Sequence, residues 1–338
     1  MTKKEHFHAI MNHSSSHCGF WHGSPNSDST KKLYEFFDVE NDLELGLELG
    51  SICRWIMPEK NNLWQNPDHD MFDVLGGEKQ VSLSQPGIFA NCEDLAEIEA
   101  FHWPELKDCS FTDTLTEIDK TIEAGQAVLS GMWSKFFHVL CDFFGMENYF
   151  IKMHTDPLVV EAVTERVVDF YLQVNEVLFK EAGDKIDAVF FGNDFGSQLD
   201  LLVSPDCFDR FIMPSFVKFT KQAHHHGYKV LLHSCGAIDR VIPKLIDAGV
   251  DALHPIQALA ANMDAESLAE KYNGKIIFVG GVDTQQLLPF GTPGQIRDEV
   301  HRLRQLFGPN FIVSPSHESV LPNVPAENIA AMARAAFE

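Results

Sequence analysis

A histidine and a cysteine two residues apart close the apolar run Lys229-Val-Leu-Leu-His-Ser-Cys-Gly236. Imidazole and thiolate are two of the three ligand types zinc prefers, so His233-x-Cys235 is half of a metal site. A run of this kind reads as a strand buried on both faces. Residues two apart on a strand share a face, which would bring His233 and Cys235 together at its end. The plainer reading of the same residues is a packed strand-end histidine beside a free cysteine. His317 follows Val313-Ser-Pro-Ser, just past the last apolar run. If the two strand ends meet, His233, Cys235 and His317 supply three ligands and leave a fourth position for water, substrate or Glu318, the pattern of a catalytic zinc site.

Other polar residues stand directly after apolar runs. Asp194 and Asp283 are carboxylates placed either to act on a substrate or to cap a turn. Trp21, His22, Trp133 and Asn193 are candidate substrate contacts on the same ground, as are Gln198, Gln257 and Gln285. His224-His-His226 ends a helix and reads as a solvated terminus. Near the N-terminus, His6, His8, His13, His17, Cys18 and His22 match no compact metal spacing and read as an opening helix followed by a strand over 18–22. Glycine-rich phosphate fingerprints are absent, since Gly192-Asn-Asp-Phe-Gly196 lacks both the spacing and the lysine.

The elements that must position these residues are clearest in the second half. Apolar runs at 188–194, 229–236, 252–257, 276–283 and 311–315 alternate with helical patterns, including helices over 238–248, 264–273, 293–307 and 325–337. Five βα units in succession imply a parallel sheet. Upstream, 127–133 reads as a strand and Asp156-Pro157 opens a long helix through Lys180, proline being favoured at a first helical position. Counting back gives about eight units, so the expected fold is α/β, a single (β/α)8 TIM barrel over 1–338 with N-terminal and loop elaborations. Residues 50–115, broken by Pro58, Pro67 and Gly76-Gly77, read as insertions and short strands at one end of the core, with the character of a lid. In such a barrel the chemistry lies at the C-terminal ends of the strands, where the candidate ligands and substrate contacts above fall.

Composition narrows the field. A 338-residue chain with 45% hydrophobic and 22% charged residues is that of a globular protein. Its net charge of −23 argues against nucleic acid or an anionic membrane as partner. Seven scattered cysteines fit free thiols better than a disulfide framework. With no signal-like opening, a cytoplasmic location is expected.

Four stretches resemble the uroporphyrinogen decarboxylase superfamily of α/β barrels: Phe191-Gly-Asn-Asp-Phe-Gly-Ser-Gln198, His233-Ser-Cys-Gly236, Val279-Gly-Gly-Val-Asp-Thr-Gln285, and Ser314-Pro-Ser-His317 with Pro322-Asn-Val-Pro-Ala-Glu-Asn328. The resemblance covers roughly 120–338 well and the first third loosely. Decarboxylases of that superfamily carry an arginine-rich stretch near the N-terminus that grips substrate carboxylates. The corresponding His17-Cys-Gly-Phe-Trp-His-Gly-Ser24 has no arginine. The other branch consists of zinc-dependent methyltransferases that work with corrinoid proteins, their zinc bound by a His-x-Cys pair and a cysteine after the last strand. His233 and Cys235 match the pair, and His317 stands where the third ligand, a cysteine, would be. This implies a zinc-dependent methyltransferase that moves a methyl group between a small methylated compound or thiol and a corrinoid protein. Cobalamin would then be the partner's cofactor, and Asp194, Gln198 and Asp283 would orient substrate or shuttle a proton. No corrinoid-binding Asp-x-His motif with a following glycine-rich segment occurs in this chain, and the reading is compatible with a homodimer. A decarboxylase or lyase of a small acid, with Asp194 and His317 as acid and base, is the rival enzyme; a non-catalytic small-molecule-binding barrel is the rival outside catalysis.

Overall fold

Eight short runs form parallel strands, most of them buried on both faces because helices cover the sheet. The computed structural model describes residues 1–77, 80–82 and 84–338. The strands are β1 (Gly19–Phe20), β2 (Cys53–Ile56), β3 (Ala127–Ser130), β4 (Ala188–Gly192), β5 (Lys229–His233), β6 (Ala252–His254), β7 (Ile277–Val282) and β8 (Phe311–Pro315). All neighbours pair in parallel, in the order β1-β8-β7-β6-β5-β4-β3-β2. The sheet curls until its ends meet, where the Ile52 N–H donates to the Phe20 carbonyl at 2.9 Å. This is a (β/α)8 barrel.

Alternate strand residues divide between two cores. Leu129, Phe190, Leu231, Ile277, Val279 and Ile312 fill the barrel interior with Trp21. Val128, Phe191, Leu232, Leu253, Phe278 and Val313 face outward against the helices. The opening helix Lys3–Met11 sends Phe7, Ile10 and Met11 into the interior cluster and plugs the end of the barrel away from the strand C-termini. A Thr2–Glu5 capping box starts that helix.

The expected elements of the second half are present with trimmed ends. Helix Pro293–Phe307 and strand β8 match the expected spans, whereas the strand expected over 229–236 stops at His233. The chain turns there because Gly236 takes φ +89°. The helix expected over 238–248 shortens to Ile242–Asp247, and 127–133 ends at Ser130.

One stave was misread. Cys53–Ile56, expected to lie among insertions and short strands at one end of the core, is a full member of the barrel paired along β3. Its Arg54 is enclosed by Asp42 (3.4 Å) and Glu117 (2.8 Å). The segment that follows packs along the flank, with Phe72 against Phe143, Phe170 and Tyr171. Among the described residues, no helix is long and apolar enough to cross a membrane.

Candidate functional site

The register of adjacent strands brings the key residues level. Gly192 of β4 pairs with His233 of β5, and His233 pairs with His254 of β6. Asp194 lies two residues beyond Gly192, and Cys235 two beyond His233. Beneath them is an aromatic floor: Phe190 packs on Trp21 (5.6 Å), Trp55 (4.9 Å), Trp133 (5.5 Å) and His254 (5.5 Å) between ring centres. Such edge-to-face pairs hold their rings firmly and keep water from below.

His233 is the hub and is only 3% exposed. On one side its Nε2 lies 3.2 Å from Asp194 Oδ1 and 3.4 Å from Cys235 Sγ. On the other its Nδ1 lies 3.0 Å from His254 Nδ1 and 3.2 Å from Glu318 Oε2. Asp194, His233 and Cys235 thus form one trio of donors able to hold a metal ion, and His233, His254 and Glu318 form another. The two sides differ in access. Cys235 and Asp194 are half-buried at the mouth, whereas His254 is fully enclosed. A metal-bound histidine normally gives its other ring N–H to a carboxylate. Here the Nδ1 hydrogen bond runs to His254 Nδ1, with the Glu318 carboxylate as an ion-pair contact beside it, which leaves Nε2, the nitrogen facing the thiol, free to ligate.

The charges agree with this division. Burial works against a charged His233, but Glu318, Cys235 and Asp194 outweigh it and hold the imidazole well above its ordinary range. Burial likewise opposes the Asp194 carboxylate, yet His233 and the Cys235 amide hold it below its ordinary range. His254 is pushed well below by burial and then by the charges of His233 and His317, so it stays neutral. A proton-rich imidazole between anionic donors is the arrangement a divalent cation replaces, binding metal and releasing the proton.

The structure brings His317 to the same place, edge-on to His233 at 5.9 Å. Its hydrogen bond with Cys235 raises its pKa, with burial opposing and Glu318 assisting. Its Nδ1 accepts the Ser319 N–H at 3.0 Å, leaving Nε2 as the nitrogen free to ligate. The tightest trio on the open side nevertheless has Asp194 in the place expected of His317. Glu318 lies on the far side of His233, as a partner of the ring.

The remaining candidates separate. Trp133 stands over His233 at 5.2 Å. With Trp55, Lys60 and Glu318 it borders a mouth cavity of about 320 Å3. Trp21 belongs to the floor. His22 points out of the barrel wall, where it is held by Ser51 (2.8 Å) and Asp42 (3.2 Å). Asn193 is a brace that accepts the Phe137 N–H at 2.9 Å and donates to the Ser134 carbonyl at 3.1 Å. Gln257 takes the Gly236 N–H at 2.6 Å and steadies the turn after Cys235. Gln198 and Gln285 are exposed, and the structure gives their side chains no bond to the centre. Asp283 accepts the N–H groups of Gln285, Gln286 and Leu287 at 3.1, 2.7 and 2.8 Å, so its carboxylate is committed to a turn. Replacing Asp283 by alanine should cost about 1 kcal/mol of stability in denaturant unfolding and leave metal content unchanged.

Two neighbours of the centre were not singled out from sequence. His138 lies 3.7 Å from Asp194 Oδ2, and Trp55 packs at a tilt on Trp133, 4.8 Å between ring centres. His138 sits in a helix, and Trp55 in the misread strand; neither follows an apolar run. The N-terminal histidines stay apart from the centre: His6 bonds the His17 carbonyl at 2.9 Å and His8 bonds Asp187 at 2.6 Å.

The family model of uroporphyrinogen decarboxylase (URO-D) matches residues 78–338. No curated protein matches by sequence. Among solved structures, a methyltransferase from Methanosarcina mazei superimposes with a TM-score of 0.67 at 16% identity, covering 99% of this chain and 98% of that one. A putative vitamin-B12 independent methionine synthase from Listeria monocytogenes gives a TM-score of 0.42 at 12% identity, over 95% and 98% of the two chains.

Proposed function

The chain belongs to the uroporphyrinogen decarboxylase family, and from that premise we propose that it is a methyltransferase, moving a methyl group between a small methylated compound or thiol and a corrinoid carried by a separate protein. The observation that carries the reading is the Cys235 thiol set 3.4 Å from His233 Nε2 at the open end of the barrel. A thiol–imidazole pair beside a carboxylate is a zinc donor set, whereas decarboxylation of a polyacid calls for arginine where 17–24 has none. The superposed Methanosarcina methyltransferase agrees in fold.

Held by His233, Cys235 and either Asp194 or His317, zinc would act as a Lewis acid toward a methylated heteroatom or a thiol acceptor. The choice of third ligand sets the charge. Asp194 gives the donor set two negative charges, as a second cysteine would; His317 gives it one. His254, bonded to His233 Nδ1, and the Glu318 charge beside it keep the His233 ring oriented. Asp194 also accepts the Cys235 N–H at 2.9 Å, which fixes the thiol's backbone. Trp55 and Trp133 wall the mouth cavity and shield a bound substrate from water on that side. Cobalamin would be a cofactor of the partner.

The test is a cob(I)alamin spectral assay with oxygen, nitrogen and sulfur methyl donors. Conversion to methylcobalamin with at least one donor, lost in Cys235→Ser, supports the reading. No spectral change with any of them, together with turnover of a small acid by metal-free protein, would transfer the site to decarboxylation by Asp194 and His317.

A further inference from the structure

Beside the mouth lies a chamber of about 420 Å3 that the metal donors do not reach. Its described walls include Met57, Phe72, Val74, Trp133, Val139 and Tyr171, a lining of apolar and aromatic side chains. That size and lining are those of a small-molecule pocket. Glu59 is part of the same wall. Its Oε1 accepts the Trp133 N–H at 2.8 Å, while Oε2 is sealed from solvent and has no hydrogen-bond partner.

An ionised oxygen with neither donor nor water is costly, and a proton there relieves it. The protonated oxygen is then a donor in need of an acceptor. The groups around it fit that state. Burial lifts Glu59 to about 7, with its own amide, the Trp133 amide and the Lys135 and Lys60 charges pulling the other way. Asp70, Lys135 and Asp142 also line the chamber, and Asp142 is bonded to Gln80 at 2.7 Å. Tyr171 stays a neutral phenol, raised by burial and then by the Glu59 and Asp142 charges.

We propose that this chamber binds a small neutral aromatic molecule with one oxygen acceptor, a phenol or its methyl ether, which takes a hydrogen bond from the Glu59 carboxylic acid. The aromatic walls offer Phe72, Trp133 and Tyr171 to a ring. A ligand that satisfies the Glu59 O–H must bring an acceptor, which a cation lacks, and an anion would meet Asp70 and Asp142, which outnumber Lys135. Reaching Oε2 requires a small shift of the wall, which the ligand drives by satisfying that atom. The occupant would touch Trp133, whose ring covers His233. The site needs no metal, so it stands or falls apart from methyl transfer.

Calorimetric titration of the full chain with phenol tests this. One site is expected, binding about tenfold more tightly near pH ~6 than near pH ~8.5, because the donor is lost as Glu59 ionises. Glu59→Gln keeps a neutral donor and should bind with no pH dependence. Val74→Trp fills the chamber and should weaken binding about tenfold, while Cys235→Ser should bind like the wild type. The proposal is overturned by the absence of saturable binding at the lower pH, or by full binding in Val74→Trp. Loss of binding in Glu59→Gln or in Cys235→Ser overturns it equally, as does a pH dependence that survives in Glu59→Gln.

Discussion

Replacing Cys235 by serine is expected to leave the purified protein without its divalent cation and without methyl transfer to cobalamin. The thiol contributes an anionic, polarisable ligand at neutral pH once metal binds, whereas a serine hydroxyl keeps its proton. Altering groups that merely support a ligand typically lowers metal affinity 10- to 100-fold, so removal of a direct ligand should cost about 100-fold or more. The fold should survive. Cys235 lies half-buried in a turn beyond β5, and the bond from its N–H to Asp194 does not involve sulfur. Metal analysis after dialysis, with a melting curve as control, separates the two effects. Metal retained at full occupancy with an unchanged melting point would remove Cys235 from the centre.

The second large effect is predicted one residue further on. Gly236 has φ +89°, and a Cβ there would sit 2.1 Å from the Gly196 carbonyl oxygen and 2.3 Å from its carbon. The obstacle is backbone, so no side chain can swing aside. Gly236→Ala must part the loops after β4 and β5, which moves Cys235 and strains the 2.6 Å bond to Gln257. Left-handed backbone alone costs an alanine about 1–2 kcal/mol, and the overlap should bring the total to about 3 kcal/mol or more. Gly227→Ala is the matched control. Its φ is +83°, but nothing lies within 4 Å of the added carbon, so only the backbone cost of about 1 kcal/mol applies. Denaturant unfolding of the two variants, with metal analysis, should show a large and a small loss of stability. Metal loss should occur in Gly236→Ala alone. Equal losses would mean that the approach of the two loops does not matter.

What could be read directly from sequence follows from burial. Runs such as Ala188–Gly192 and Phe311–Pro315 are enclosed on both faces, so no charge and only the small Ser314 hydroxyl interrupts them. Cys53–Ile56 was lost because a four-residue strand containing Arg54 and Trp55 has no such signature. Its charge is satisfied by Asp42 and Glu117, which lie on other elements of the chain. With that strand went its neighbours Trp55 and Glu59, and so one side of the mouth.

At the centre, His233 and Cys235 were legible because both are ligand types and end one apolar run. The neighbour relations were not. That His254 stands beside His233 depends on the β5–β6 register, and that Glu318 reaches Nδ1 depends on how the loop after β8 folds back. Asp283 shows the limit of residue type: a carboxylate after Gly280-Gly281-Val suits a site or a turn, and three backbone N–H groups decide for the turn.

The central claim is a zinc centre built on His233 and Cys235, and X-ray absorption of the purified protein tests it most directly. The account predicts about one zinc per chain, with one sulfur neighbour near 2.3 Å and nitrogen or oxygen neighbours near 2.0 Å. A protein purified without metal, or a zinc with no sulfur in its first shell, would contradict it.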